Sequence, residues 1–417
     1  MTALLDTAAD TFRSAASHLV PGIIERNRVI GMGAMEVAAD GAEVTLSSGR
    51  TVLDFGNYAV TLFGHRPPRV IEAVREALQT MPTSTKVLAN PRTTSLAARL
   101  AALLDPGRLT RVYLGLNGAD AVEVALKLAI AQTGCPSLLA VERGFHGKSI
   151  GALAVTADPG RRRSLQGFFG NARHIPAEPD AVARAALDAP FAALIVEPVQ
   201  GEGGGRALPP ELLRRWSDDA HAAGAFVIAD EIQCGLRRCG PVSLAVASGL
   251  APDAVLLGKP LGGGVMPLSA AVCTDELFAP LLLDPFFHSA TFSGHPLSCA
   301  AGLAALDLLE ELADRFDPVS AALAAGVSQV AREHTEVVAA SRCTGLLAAV
   351  EFSSPERAGL ALLEAGRRGL LLAQCVTDQS VVRLLPPVVA TDHQLAAATA
   401  ILHATCAAVE RRTTRRT

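Results

Sequence analysis

Lysine is almost missing from this chain of 417 residues: only four of its 37 basic side chains are lysine, at positions 86, 127, 148 and 259, and the rest are arginine. Any chemistry that needs an unprotonated lysine amine therefore has four candidates. Neither sign of charge is in large excess, because 41 acidic side chains leave a formal net charge of −4. That balance excludes a basic face for nucleic acid and selects for no acidic partner. No apolar run reaches the roughly 18 uninterrupted residues of a spanning helix, so no membrane segment is expected. The eight cysteines, at 135, 234, 239, 273, 299, 343, 375 and 406, include no C-x-x-C pair. A chain this long needs no disulfide framework. Cys234 and Cys239 lie close together, but no second cysteine or histidine pair completes a tetrahedral set. They read as small buried hydrophobes, and no metal is expected.

Half of the residues are apolar and the mean hydropathy is +0.32. At this length, two or three structural units sharing an ample core are expected. The N-terminal stretch carries Asp6 and Asp10 and lacks a basic region, so it does not read as a secretory signal. A cytoplasmic globular protein follows.

The middle of the chain alternates short apolar runs with amphipathic segments. Residues 112–115, 138–141, 192–196, 225–229, 254–257 and 269–273 read as buried strands, and 119–132 and 210–223 as helices. Continuously apolar strands separated by helices predict an α/β fold with a mainly parallel central sheet, covered on both faces. The first ~50 residues differ: a helix, then a small meander around 41–54. Beyond about residue 300, Ala/Leu-rich helices return with short strands at 346–351 and 381–385. The expected units are 1–55, the N-terminal part of a small domain, 56–300, a large domain, and 301–417, the C-terminal part of the small domain. The tail RRTTRRT reads as a frayed, solvated end.

In a parallel α/β sheet, ligands bind beyond the carboxyl ends of the strands. Four such exits stand out. One strand runs into Asp230-Glu231-Ile232-Gln233, where an acid ending an apolar run is costly unless a donor or cation compensates it. Taken alone, a helix cap or a buried ion pair explains it as well. Another runs into Gly258-Lys259-Pro260 and then Gly262-Gly263-Gly264. This is no Walker loop, because Asp253 stands where that motif needs glycine and Pro260 replaces its Ser/Thr. A desolvated lysine is instead what imine chemistry requires, since burial frees the amine as a nucleophile. The exit Leu116-Asn117-Gly118-Ala119-Asp120 opens a helix, whose free N–H groups make an anion site. The fourth, Gly144-Phe145-His146-Gly147, offers a platform for a flat ring. A phosphate cradle, an aromatic platform, a carboxylate and an imine-forming lysine together suit pyridoxal phosphate (PLP), whose ring nitrogen the carboxylate keeps protonated.

With these residues in view, the chain resembles the class III aminotransferases of PLP fold type I over nearly its whole length. The blocks that carry the resemblance are NGADAVEVALKLA (117–129), GFHGKSIGALAVT (144–156), ALIVEPVQGEGG (193–204), ADEIQCGLRRCG (229–240), GKPLGGGVMPLSAAV (258–272) and HSATFSGHPLSCAAG (288–302). The putrescine, acetylornithine and ornithine branch is the most similar. The resemblance implies that Lys259 is the Schiff-base lysine and that Asp230 partners the pyridine nitrogen. It puts Gln233 beside the ring hydroxyl, Phe145 against the ring with His146 next to it, and Gly118 and Ala119 at the phosphate. It implies a homodimer in which Thr291 reaches the phosphate of the neighbouring subunit. On the substrate side it implies that Arg383 binds the α-carboxylate of glutamate or 2-oxoglutarate, that Glu202 pairs with Arg383 when an ω-amine is bound, and that Tyr58 contacts substrate. The expected activity is transfer of the terminal amino group of a diamine or ω-amino acid to a 2-oxo acid.

Departures from the family pattern bear on the substrate. Asn117, Ala119 and Asp120 replace the usual phosphate-loop side chains, Cys234 stands for a threonine with Arg237 and Arg238 nearby, and Ser293-Gly294-His295-Pro296 replaces Gly-Gly-Asn-Pro. Two rival readings remain at this point. One is a mutase, racemase or decarboxylase on the same fold. The other is a serine hydrolase, because Gly147-Lys148-Ser149-Ile150-Gly151 fits G-x-S-x-G, although Pro159 cuts short the helix that a nucleophile elbow needs.

Overall fold

The computed structural model describes residues 7–163 and 172–414. Its centre is a seven-stranded sheet. From one edge to the other the strands are Arg111–Gly115, Ser269–Cys273, Ala254–Leu257, Phe226–Asp230, Ala193–Val196, Leu138–Val141 and Ala172–Ile175. Six run parallel, and Ser269–Cys273 alone is antiparallel to both of its neighbours. Three of the six expected central strands, 138–141, 254–257 and 269–273, have their expected bounds, and the other three lie within one residue of them.

Alternate residues of these strands leave the sheet on opposite faces, as the period of two requires. Ile195, Ile228 and Leu256 join the helix Gly118–Thr133 in one buried cluster, while Val196, Val227 and Leu257 join the main core on the other side. Each such side chain contributes roughly 1.5–3 kcal/mol when fully buried. Burial on both faces is why the strands read as unbroken apolar runs. The strand Ala172–Ile175 escaped sequence reading because it lies at the edge and carries Arg173 and His174, so it has no apolar signature.

The two ends of the chain meet beside this sheet. The strands Glu36–Asp40, Glu43–Leu46 and Thr51–Asp54 form an antiparallel meander, and the last of them pairs in parallel with Leu370–Leu371. A second sheet, with Val338–Thr344, Leu347–Phe352, Val381–Leu384 and Ala373–Gln374 in that spatial order, is antiparallel. The helices Phe316–Glu333, Pro355–Arg368 and Asp392–Thr414 belong to the same C-terminal unit. The basic tail departs from expectation, because the last helix continues through Arg411 and Arg412 to Thr414; residues 415–417 lie outside the described residues. Among the described residues no helix is long and apolar enough to cross a membrane.

Candidate active site

The four strand exits singled out from the sequence converge, and glycines show how closely. Ile232, two residues past Asp230, sits between Gly118 and Gly258: a Cβ on either glycine would lie 2.9 or 3.2 Å from its methyl carbon. The loop that carries Lys259 and the loop that opens the Gly118–Thr133 helix therefore both close on the Asp230 loop. Gly147 approaches Ala119 in the same way, at 3.0 Å, which brings the Phe145 loop against the phosphate-loop candidates. At Gly201, a Cβ would fall 1.6 Å from Oε1 of Gln233, so only glycine lets that carboxamide pass.

Asp230 closes its strand with 4% of its surface exposed. His146 donates from Nδ1 to its Oδ2 at 2.7 Å, and the Ile232 amide donates to Oδ1 at 3.1 Å. The His146 side chain is fully enclosed. Burial works against its cation, but the hydrogen bond and charge of Asp230, helped by Glu197, prevail and raise its pKa. Its Nε2 is buried without a hydrogen-bond partner among the described residues. A buried carboxylate with a histidine behind it suits a partner that must stay cationic, which is what a protonated pyridine nitrogen is.

Lys259 opens a short 3-10 turn with φ of 41°, a left-handed conformation that costs a non-glycine residue roughly 1–2 kcal/mol. Such strain persists where surrounding structure imposes it, often at functional sites. Burial lowers the pKa of its amine; Glu202, Asp230 and Glu197 pull the other way, and Arg383 adds to the lowering. The amine is therefore neutral over a wider pH range than a free lysine's, as imine chemistry needs.

Asn117 replaces the usual serine without losing the cap: its side-chain oxygen accepts from the Asp120 amide at 3.1 Å. The N–H groups of Gly118 and Ala119 open the helix with no acceptor among the described residues, and a phosphate fits there by charge and by donor. Asp120 is held by the Leu116 amide at 3.1 Å and by His288 at 3.2 Å. His295 caps the helix Pro296–Glu311 by accepting from the Leu297 amide at 3.3 Å. Both departures thus keep local structure intact. Phe145 is half-buried and lies under the Lys148 ammonium, 5.9 Å from the ring centroid.

Arg383 is fully buried. Its guanidinium meets Oε1 of Glu202 at 2.7 Å and donates to Oε1 of Gln233 at 2.8 Å. Glu202 stands in the turn of a small hairpin, Val199–Gln200 with Arg206–Ala207, that was not read from the sequence. Its second oxygen accepts from the Val376 amide at 3.0 Å. Gln233, expected beside a ring hydroxyl, is thus also a partner of the arginine. Tyr58 is 57% exposed, with φ of 58°. Thr291 is exposed as well.

One buried group was missed. Glu197 follows the apolar strand Ala193–Val196, the same signal that singled out Asp230, and accepts from the Phe145 amide at 2.8 Å and the Gly201 amide at 3.3 Å. Cys234 and Cys239 are buried in a small apolar cluster, where burial pushes both thiols well up. Ser149 is not on a nucleophile elbow: it stands at the N-cap of a helix of only six residues, Ile150–Val155, and donates to Glu123 at 2.5 Å.

This geometry agrees with what the chain is similar to. The sequence pattern of the class III aminotransferases matches residues 27–406, so the chain belongs to that family. An ornithine aminotransferase from Toxoplasma gondii shares 28% identity with it over 98% of this chain and 97% of the other, with a TM-score of 0.87. An amine transaminase from an uncultivated Pseudomonas species, solved in its PLP-bound form, shares 26% identity over 90% and 94%, with a TM-score of 0.82. A transaminase from the marine bacterium Virgibacillus, at 23% identity over 91% and 94% and a TM-score of 0.83, shares the fold. The protein is a PLP-dependent aminotransferase of fold type I.

Proposed function

We propose that this enzyme moves the terminal amino group of a diamine or ω-amino acid, of the ornithine, acetylornithine or putrescine kind, to 2-oxoglutarate. The observation that carries the reading is the buried Arg383–Glu202 pair. A substrate whose reacting end is a plain amine leaves the pair closed. A substrate with a carboxylate beside the reacting carbon takes the planar fork of Arg383 once Glu202 gives way. One pocket can thereby serve two substrates of different charge.

PLP, when bound, supplies the electron sink that makes the C–H bond beside the amine acidic. Asp230, oriented by His146, would hold a negative charge toward the ring nitrogen. Gly118 and Ala119 would donate backbone N–H groups to the phosphate, and Phe145 would supply the platform for the ring. Lys259 Nζ, whose pKa burial lowers, would take the proton from the substrate carbon and hand it on. Proton transfer by a positioned group typically contributes 10²–10⁴-fold.

The active unit in this proposal is a homodimer in which Thr291 serves the neighbouring site. Exposed apolar side chains support it: Val87, Leu88 and Phe286 are largely exposed, and Phe292 is about half exposed. Val87 and Leu88 lie on a segment that touches that of Phe292, since Lys86 donates to the Ser293 carbonyl. Contiguous apolar surface of this kind marks an interface.

The test is stoichiometry with putrescine, ornithine or acetylornithine as donor. One glutamate formed per amine consumed supports the reading; an enzyme that accepts such an amine but passes its nitrogen only to pyruvate overturns the choice of acceptor. Arg383→Lys keeps a countercharge for Glu202 but loses the fork. It should raise the KM for 2-oxoglutarate roughly 10–100-fold, while single turnover with a diamine stays within a few-fold of wild type.

A further inference from the structure

Two of the site's loops end on a single side chain. The Glu197 carboxylate is 5% exposed, and its two oxygens take different amides: Oε1 accepts from Phe145, on the loop that forms the ring platform, and Oε2 from Gly201, one residue before Glu202. No backbone hydrogen bond joins these two loops directly among those that bear on Phe145 and Gly201. Gly201 is also the residue whose missing Cβ makes room for Gln233, so its position governs the partner of Arg383.

We propose that Glu197 is a positioning residue: its ionised carboxylate fastens the loop that carries Phe145 to the loop that carries Glu202. The cofactor platform and the carboxylate gate then keep a fixed separation, a tie that Glu197 shares with Gln200, whose Nε2 donates to the Glu142 carbonyl at 2.8 Å, and with Thr377, whose hydroxyl lies 2.9 Å from the carbonyls of Arg143 and Glu202. The inference rests on the roles given above to Phe145 and Glu202. A carboxylate offers both oxygens as acceptors, whereas a carboxamide or a protonated acid offers one good acceptor and one donor. A second donor facing an amide N–H leaves that amide unpaired.

Glu197 also titrates in a useful range. Its pKa is raised to about 7: burial is the main cause and the charge of Asp230 adds to it, while His146, the Phe145 hydrogen bond and Lys259 oppose the rise. The Cys234 thiol feels the same carboxylate. As pH falls through this value the group gains its proton, and the longer bond to Gly201 is the first to weaken. Ionisation is present above that pH and lost below it.

Amide hydrogen exchange on the full chain, freed of cofactor and again with it bound, reads this directly. In Glu197→Gln, peptides that report Phe145 and Gly201 should exchange about ten-fold or more faster than in wild type at pH 8 for at least one of the two, because a hydrogen bond to a charged acceptor is lost. In the cofactor-free chain, the ratio of variant to wild type should shrink toward one at pH 6, where wild type is itself protonated. Taking the ratio cancels the intrinsic pH dependence of exchange. A ratio of one at pH 8 overturns the proposal, and so does a ratio that stays ten-fold at pH 6. If the glutamine variant does not fold, Glu197→Asp serves, since its shorter side chain reaches one amide only. One of the two peptides should then exchange faster while the other keeps its rate, and two unchanged peptides overturn the proposal. Exchange is blind to the choice of substrate, so failure of the transamination test with this result intact removes the substrate reading alone.

Discussion

Lys259→Ala is expected to abolish turnover, with a fall of at least about 10³-fold in kcat, because one substitution removes both the nucleophile and the proton carrier. The protein should still fold. Lys259 is held in a left-handed conformation and its charged form is disfavoured by burial, so its contribution is to chemistry more than to stability. Three readouts separate this from simple unfolding. Thermal stability should stay close to wild type. The visible absorption of the bound cofactor should shift, as the covalent link to the protein is gone. Added small amines should restore part of the proton transfer. In wild type, kcat, which reports the substrate complex where the Lys259 amine is free, should rise with pH on the acid side as that amine loses its proton, and should do so at lower pH than an ordinary lysine would allow. A Lys259→Ala enzyme that keeps a tenth of its activity would sink the assignment of this residue, since no other lysine replaces it. Lys127 is tied to the Phe287 carbonyl, Lys86 to the Ser293 carbonyl, and Lys148 lies over the Phe145 ring.

Much of this site was legible in the sequence because its chemistry contradicts its surroundings. Asp230 and Lys259 each stand at the end of a run of residues that are buried on both faces, where a charge is costly unless a partner compensates it. Their convergence could be inferred from the rule that ligands sit at the carboxyl ends of parallel strands. Other features were hidden for definite reasons. The edge strand Ala172–Ile175 is polar and half covered, so it resembles a loop. The hairpin that carries Glu202 has strands of only two residues, and its turn depends on Gly204 and Gly205 at φ of 103° and 65°. Glu197 carries the same strand-exit signal as Asp230, whereas the family resemblance assigns a role to Glu202, five residues on. The bond between Arg383 and Gln233 joins residues 150 positions apart and follows only from the packing of two sheets.

Asp230→Asn separates the shape of the site from its charge. The amide keeps the size of the carboxylate, can still accept from the Ile232 amide, and can reorient toward His146, so the loss of stability should stay near the ~1.5–3 kcal/mol of one hydrogen bond to a charged group. Catalysis should fall much further, about 10²–10⁴-fold, because a neutral amide gives a protonated ring nitrogen no countercharge and the electron sink is weakened. His146 supplies the independent sign. Its pKa is raised because the hydrogen bond and charge of Asp230 overcome burial, and in the variant burial is left with little opposition. The histidine should therefore titrate at lower pH in Asp230→Asn than in wild type, observable by NMR of the imidazole protons. If kcat is unchanged while the His146 titration does move, Asp230 orients the histidine without serving the ring nitrogen. If the His146 titration stays put, the 2.7 Å bond is not what sets it, and the carboxylate's hold on the site has to be sought in Glu197.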